Sequence, residues 1–429
     1  MESSSIEFQS QSDVDINFNR PLLSDNYDDS DECVFAHPTN GVQDIFGGVQ
    51  ILVNTAMGSG ALLIPYCYTS GLASGIIIAG IFCILSTLSQ WLMVQAAKES
   101  RGYDFCGLFE KAVGKKFVWI VHLIIVIVLF GVTSIYTLFG GHLFNLLLNS
   151  HKKPFNTDWF WVLILSVFFV LPLTIPKTLK KLEPFATLST MCLIVLILNS
   201  LYWFIKDLVS NGNHIASRIR YFVANRALIS NLSINSMAYN CHVNLFSCLS
   251  QLKNCTVRRS KRMIAIAMGV CFLLYNSLGI FSYLFLGDKI EDNSILDYYD
   301  QNNTFTKIAT ICVVFVMIIS APLVLHACRN ALNGMFFEEL EPSTCRWITM
   351  GFILVILSAT LVCSFGKVMV FFDIVGGLFV PCLLFLFPGL CYYRICQCSP
   401  LYKRIFALVM CFLSFCVSSI SIYKTITDL

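Results

Sequence analysis

The residues best suited to hold a charged ligand are Gly58, Ser59 and Gly60, which interrupt the first long apolar segment and are followed by Pro65. A helix in a bilayer must satisfy its backbone polar groups within the segment, and glycines weaken that ladder. Such a break is tolerated only where it is buried in protein or lines a cavity. Its free amides can bind an anion and its carbonyls a cation, so we predict a binding site here.

Other polar side chains in apolar segments are candidates for proton transfer. His242 adjoins Asn240 in the sixth segment and can relay protons or simply bond a backbone carbonyl. Asp373 lies well inside the tenth segment, where an unpaired carboxylate is costly. It can couple transport to protons or line a cavity, with Lys367 as its expected partner across a water-filled vestibule.

The elements that position these residues are membrane helices. The chain has 429 residues, of which 56% are hydrophobic and 13% charged, with a mean hydropathy of +0.71. Soluble domains carry about 25% charged residues. A window of about 20 apolar residues predicts an all-α polytopic membrane protein with eleven spans, at roughly 44–69, 71–97, 117–148, 158–176, 184–205, 226–250, 263–286, 305–330, 347–365, 367–393 and 402–424.

The charges predict the topology. If the N-terminus is cytoplasmic, most of the 29 basic residues fall in cytoplasmic loops, as the positive-inside rule requires. Residues 1–43 then form a polar, disordered cytoplasmic tail, 44–395 a ten-helix core, and 396–429 the eleventh helix with an exterior C-terminus. The sequon at Asn302 lies on the predicted exterior. The net charge of +3 gives no reason to expect nucleic-acid binding.

Several motifs in this order resemble the amino acid/auxin permease superfamily, which includes the sodium-coupled neutral amino acid transporters. They span about 44–395 and comprise Asn54-Thr55-Ala56-Met57-Gly58-Ser59-Gly60, Tyr239-Asn240-Cys241-His242, Phe285-Leu286-Gly287-Asp288, Ala321-Pro322-Leu323-Val324, Val375-Gly376-Gly377 and Phe387-Pro388-Gly389. The resemblance implies a LeuT-like fold of eleven spans, built as a five-plus-five inverted repeat and one further helix. It also implies a monomer.

The resemblance also implies roles for individual residues. The coupling cation, if it is Na⁺, is expected at Asn54, Met57 and Ser320. The amino-acid substrate is expected at Thr55, Gly58, Ser59, Gly60, Ala61 and Asn240. If protons drive transport instead, Asp373 and His242 are the coupling candidates. No cofactor beyond the coupling ion is expected.

These observations together predict a secondary active transporter of small neutral amino acids that works by alternating access. The alternative is a membrane amino-acid sensor that uses the same site and signals through its N-terminal tail. An enzyme is not expected, because the sequence shows no cluster of catalytic residues at one membrane face. Arg20-Pro21-Leu22-Leu23 resembles a dileucine signal but lacks its usual acid, so plasma membrane and lysosomal or vacuolar membrane both remain open.

Overall fold

The computed structural model describes residues 33–34, 43–102, 104–148, 157–176, 183–211, 218–291, 293–337, 343–365 and 368–428. The predicted tail lies largely outside this part of the chain, as does Lys367. The regular secondary structure of the described residues is helical, apart from two isolated backbone bridges that pair Cys33 with Thr256 and Gln43 with Leu252. The all-helical prediction is therefore confirmed.

We number the helices in chain order. They are α1 (Ile45–Ala56), α2 (Gly60–Ser70), α3 (Leu72–Ser100), α4 (Phe105–Val113), α5 (Val118–Leu148), α6 (Asp158–Thr174), α7 (Glu183–Asn211), α8 (Arg226–Ala238), α9 (His242–Gln251), α10 (Val257–Leu286), α11 (Thr304–Phe337), α12 (Thr344–Phe365), α13 (Met369–Ile395) and α14 (Leu401–Asp428). Helices α6 and α13 contain short π-helical stretches.

Eight of the described helices are long and apolar enough to cross a membrane, and α1 with α2 adds a ninth if the bent pair is one span. The shorter apolar helix α6 and the interrupted pair α8–α9 coincide with the fourth and sixth predicted spans. Every predicted segment thus contains helix, while the count of eleven spans stays a prediction.

Glycines bring the helices around the site close together. A Cβ added at Gly376 of α13 would lie 2.7 Å from the carbonyl oxygen of Ser233 in α8. A Cβ added at Gly377 would lie 2.4 Å from Cβ of Ser421 in α14. Because lipid tails are as apolar as side chains, membrane helices associate through such close packing of small residues. The two glycines therefore set the distance from α13 to both neighbours.

Candidate functional site

Two interrupted helices meet in the centre of the bundle. The chain bends by 60° between α1 and α2, and the break holds Gly58, Ser59 and Gly60. A second break, at residues 239–241, separates α8 from α9. A Cβ added at Gly60 would lie 3.4 Å from Cα of Ala238, so the two breaks are in direct contact. The predicted interruption of the first segment is present, and the polar crowding in the sixth segment coincides with a second interruption.

A cavity of about 530 Å³ lies against both breaks. Its walls come from α1, α5, α8, α9 and α11. The lining includes polar but uncharged side chains and an apolar wall, namely Gln43, Gln50, Asn54, Thr55, Asn240, Asn244, Gln251 and Ser320, with Val128, Leu129, Val132, Tyr136, Met237, Val243, Leu323 and Val324. Among the described residues that line it, none carries a charge. The cavity therefore suits a ligand without net charge.

The cavity brings together most of the residues predicted to bind substrate or cation. Those present are Asn54, Thr55, Gly58, Gly60, Asn240 and Ser320. The hydroxyl of Thr55 accepts a hydrogen bond from the Asn244 amide at 3.4 Å, which joins α1 to α9 across the cavity. Met57 and Ala61 line a separate small cavity of about 30 Å³, which Gly58 lines as well. Ser59 begins the 3₁₀ turn Ser59–Leu63 at the break, and its side chain lies outside the described structure.

Two carboxamide oxygens in this cavity are left without partners. The Oδ1 atoms of Asn54 and Asn240 are both buried, and neither has a hydrogen-bond partner among the described residues. A buried polar atom without a partner is costly, and each such atom in a folded protein calls for an explanation. Both are neutral oxygen acceptors, and hard cations prefer oxygen ligands. The donor set at Asn54 and Ser320 therefore fits a small cation or a ligand ammonium group.

The two proton-coupling candidates lie away from the cavity. His242 is fully buried, and its Nε2 contacts the hydroxyl of Ser89 in α3 at 3.2 Å. Its chain neighbours Cys241 and Val243 line the cavity, whereas the His242 side chain does not. The imidazole thus packs between α9 and α3.

Asp373 is buried within the bundle, and because Lys367 lies outside the described residues, a pairing of the two stays a prediction. Its carboxylate is buried and forms an ion pair with the ammonium of Lys424, near the end of α14. The sequence analysis did not single out Lys424, which lies at the end of the eleventh predicted segment. Only the packing of α14 against α13 brings the two charges together.

Tyr136 and the apolar wall of α5 were also missed by the sequence analysis. The Tyr136 hydroxyl lies 2.5 Å from the position of a Cβ added at Gly58. Thr133, Ser134 and Thr137 are close to Tyr136 in the sequence of α5. Such a polar group in a membrane segment could have pointed to a cavity-facing surface.

The lining of the cavity, among the described residues, extends toward one end of the bundle. Its outer lining includes Gln43 and Gln251, whose side chains are hydrogen-bonded at 2.8 Å near the N-terminal end of α1. The predicted orientation places this end in the cytoplasm. On the opposite side, the 3₁₀ turn Ile295–Tyr298 packs against Ser59–Leu63 at the break. The turn thus covers the break from the predicted exterior.

An imidazole holds this exterior cover in place. His142, near the end of α5, contacts Asp158 at the start of α6 through Nδ1 and Asp297 of the turn through Nε2, both at 2.8 Å. Both ring nitrogens donate hydrogen bonds only when the ring is protonated. An imidazolium between two carboxylates therefore joins α5, α6 and the turn.

Comparison with known proteins identifies the family. Residues 43–427 match the family described as transmembrane amino acid transporter protein. The chain is 23% identical to sodium-coupled neutral amino acid transporter 7 of Danio rerio, over 82% of this chain and 79% of that protein. It is 26% identical to vacuolar amino acid transporter 5 of Schizosaccharomyces pombe, over 82% of this chain and 85% of that protein.

Solved structures confirm the LeuT-like fold. The crystal structure of MhsT in complex with L-phenylalanine matches with a TM-score of 0.60 at 14% identity, and the match covers 89% of this chain and 98% of MhsT. The curated relatives are named as transporters and not as enzymes. With a family match over residues 43–427, the chain belongs to the transmembrane amino acid transporter family.

Proposed function

We propose that this multi-pass membrane protein is a secondary active transporter of small neutral amino acids that works by alternating access. The observation that carries the proposal is the uncharged cavity of about 530 Å³ at the two helix breaks. A substrate with a charged side chain would be buried there without a counter-charge, at a large cost in free energy. An amino acid with a neutral side chain avoids that cost.

The breaks supply groups for both ends of the amino-acid backbone. The amide of Gly60 can hold the carboxylate near the start of α2. The unpartnered Oδ1 of Asn240 can accept from the ammonium group. The apolar wall of α5 and α11 then faces a substrate side chain of moderate size.

For the coupling ion we propose Na⁺ ahead of H⁺. The Oδ1 of Asn54 is buried and unpartnered, and Ser320 lines the same cavity. These are oxygen ligands suited to a hard cation. The proton candidates Asp373 and His242 lie outside the cavity lining, which supports Na⁺ as the ion that shares the site with the substrate. The relative named as sodium-coupled agrees with this choice.

A cavity that extends toward one end of the bundle is what one end state of alternating access requires. In this structure the cavity extends toward the predicted cytoplasm, while the turn Ile295–Tyr298 covers the break from the other side. The reverse state would need the turn to move away and the ends of α1 and α9 to close.

The test is uptake by the full-length protein in proteoliposomes, with labelled alanine and glutamine compared with lysine and glutamate. An imposed Na⁺ gradient is compared with an imposed H⁺ gradient. We expect the neutral amino acids to accumulate with Na⁺, and Asn54→Ala to raise the half-saturating Na⁺ concentration by about ten-fold, equivalent to ~1.4 kcal/mol of binding free energy. Accumulation of lysine or glutamate in preference would contradict the neutral substrate. Asn54→Ala with unchanged Na⁺ dependence would contradict the cation site.

A further inference from the structure

A single buried hydroxyl contacts both helix breaks. Tyr275 lies in the middle of α10, and its side chain is fully buried. Its hydroxyl lies 2.6 Å from the carbonyl oxygen of Ala56 and 3.1 Å from that of Ala238. Ala56 is the last residue of α1, and Ala238 is the last residue of α8. One side chain therefore reaches the end of each interrupted helix.

The carbonyls at these positions need partners. The last four carbonyls of a helix have no partner within the helix, and an unsatisfied carbonyl is costly where water cannot reach it. The Ala56 carbonyl also accepts from the amide of Gly58 at 2.8 Å. Tyr275 carries one hydroxyl proton, so the two carbonyls share one donor. A displacement of either break changes the hydrogen bond available to the other.

Two neighbouring hydroxyl groups, by contrast with that of Tyr275, each contact one side of the site. The Ser86 hydroxyl of α3 donates to the Tyr239 carbonyl at 2.9 Å, on the α8 side alone. The Tyr68 hydroxyl of α2 donates to Asn276 of α10 at 2.5 Å, on the α2 side alone. Tyr275 alone among these three contacts both breaks, and its ring also packs edge-on against Tyr239 at 5.6 Å.

We propose that Tyr275 is a positioning residue that couples the two breaks, so that the substrate-binding segments at Gly58 and Asn240 keep one mutual geometry and move together. The effect that this coupling has on transport rests on the proposed function. Tyr275 does not line the cavity described above. It acts through the carbonyls of Ala56 and Ala238, which precede the cavity-lining residues Gly58 and Asn240 by two positions each.

The test uses Tyr275→Phe, which removes the hydroxyl and keeps the ring. The matched control is Tyr283→Phe, which removes a buried hydroxyl from the same helix about 12 Å away, where it accepts from the amide of Arg220 instead. Hydrogen exchange by mass spectrometry is measured on the full-length protein in nanodiscs. We expect Tyr275→Phe to speed exchange in peptides covering both breaks, and Tyr283→Phe to leave both unchanged. Ser86→Ala should speed exchange at the α8–α9 break alone.

Kinetics provide the second measurement. For Tyr275→Phe we expect the KM for the amino acid to rise about five-fold with little change in kcat, which corresponds to the loss of about one neutral hydrogen bond. The proposal is overturned if Tyr275→Phe speeds exchange at neither break or at one break only, or if Ser86→Ala affects both breaks equally. If wild-type protein accumulates no amino acid, the proposed function fails, and the exchange measurement still decides whether Tyr275 couples the breaks.

Discussion

The carboxylate of Asp373 is paired with the ammonium of Lys424, and both side chains are almost fully buried, at 4% and 6% exposure. The pair joins the first turns of α13 to the end of α14. Close by, the hydroxyls of Ser233 and Ser421 lie 3.2 Å apart. The last helix is thus fixed to the bundle by charge as well as by packing.

Breaking this pair is expected to be far more harmful than removing it. Lys424→Met removes the cation of this buried pair and keeps the carboxylate, and breaking a buried pair in this way costs about 3–5 kcal/mol. The double variant Asp373→Asn with Lys424→Met removes both charges and should recover most of that loss. Thermal unfolding of the detergent-purified protein measures the loss of stability in the single variant and its recovery in the double variant.

The double variant also tests whether Asp373 carries the coupling proton. If Na⁺ drives uptake, the double variant should keep gradient-driven uptake. A folded double variant that loses uptake driven by a proton gradient would instead establish Asp373 as the coupling residue.

Of the two glycines at the first break, Gly60 is expected to tolerate replacement by alanine better than Gly58. A Cβ at Gly58 would lie 2.5 Å from the Tyr136 hydroxyl, whereas a Cβ at Gly60 meets Ala238 at an ordinary contact distance of 3.4 Å. Gly58→Ala must displace Tyr136 from the cavity wall, so we expect uptake to fall by about ten-fold or more. Gly60→Ala should retain most of it. An equal loss of uptake in both variants would contradict the prediction that the break has room for a Cβ at Gly60 but not at Gly58.

The bridge from His142 to Asp158 and Asp297 is expected to stabilise the exterior cover. His142→Asn removes the cation and leaves two carboxylates facing a neutral side chain. Because all three side chains are partly exposed, at 32%, 42% and 21%, the loss should be modest, about 1 kcal/mol of unfolding free energy. Asp300→Asn is the control, since Asp300 lies in the same loop and accepts from the Asn302 amide. If Asp300→Asn lowers the free energy of unfolding as much as His142→Asn does, the stabilising role of the bridge is contradicted.

Cysteine labelling can check the predicted orientation. Cys33, Cys345 and Cys398 are exposed and lie on the predicted cytoplasmic side. Burial raises the pKa of Cys255 to about 11 and that of Cys396 to about 12, although both lie in loops on the same side. Only the thiolate reacts, so at pH 7.5 these two buried thiols stay protonated and inert.

A membrane-impermeant maleimide should therefore label Cys33, Cys345 and Cys398 in inside-out vesicles and leave them unlabelled in right-side-out vesicles. Labelling of any of the three from the exterior would reverse the topology. Variants that keep one of these three cysteines and lack the other two identify which of the three thiols reacts.

The sequence by itself determined the membrane class, the positions of the helical segments and the first break. These features depend on local properties of the sequence. Hydrophobic length, glycine content and the charges of short loops each influence the structure within a few turns of helix. The motifs around Asn54, Asn240 and Ser320 also pointed to residues that the cavity brings together.

Tertiary structure decided the contacts between distant residues. Asp373 and Lys424 are 51 positions apart, and Tyr275 reaches carbonyls 219 and 37 positions away. Packing also decides which face each helix turns inward. It places Tyr136 and its apolar neighbours in the cavity wall and leaves His242 out of the cavity lining. In an apolar span nearly every face is hydrophobic enough for lipid, so hydropathy does not distinguish the faces and only the packing of the helices does.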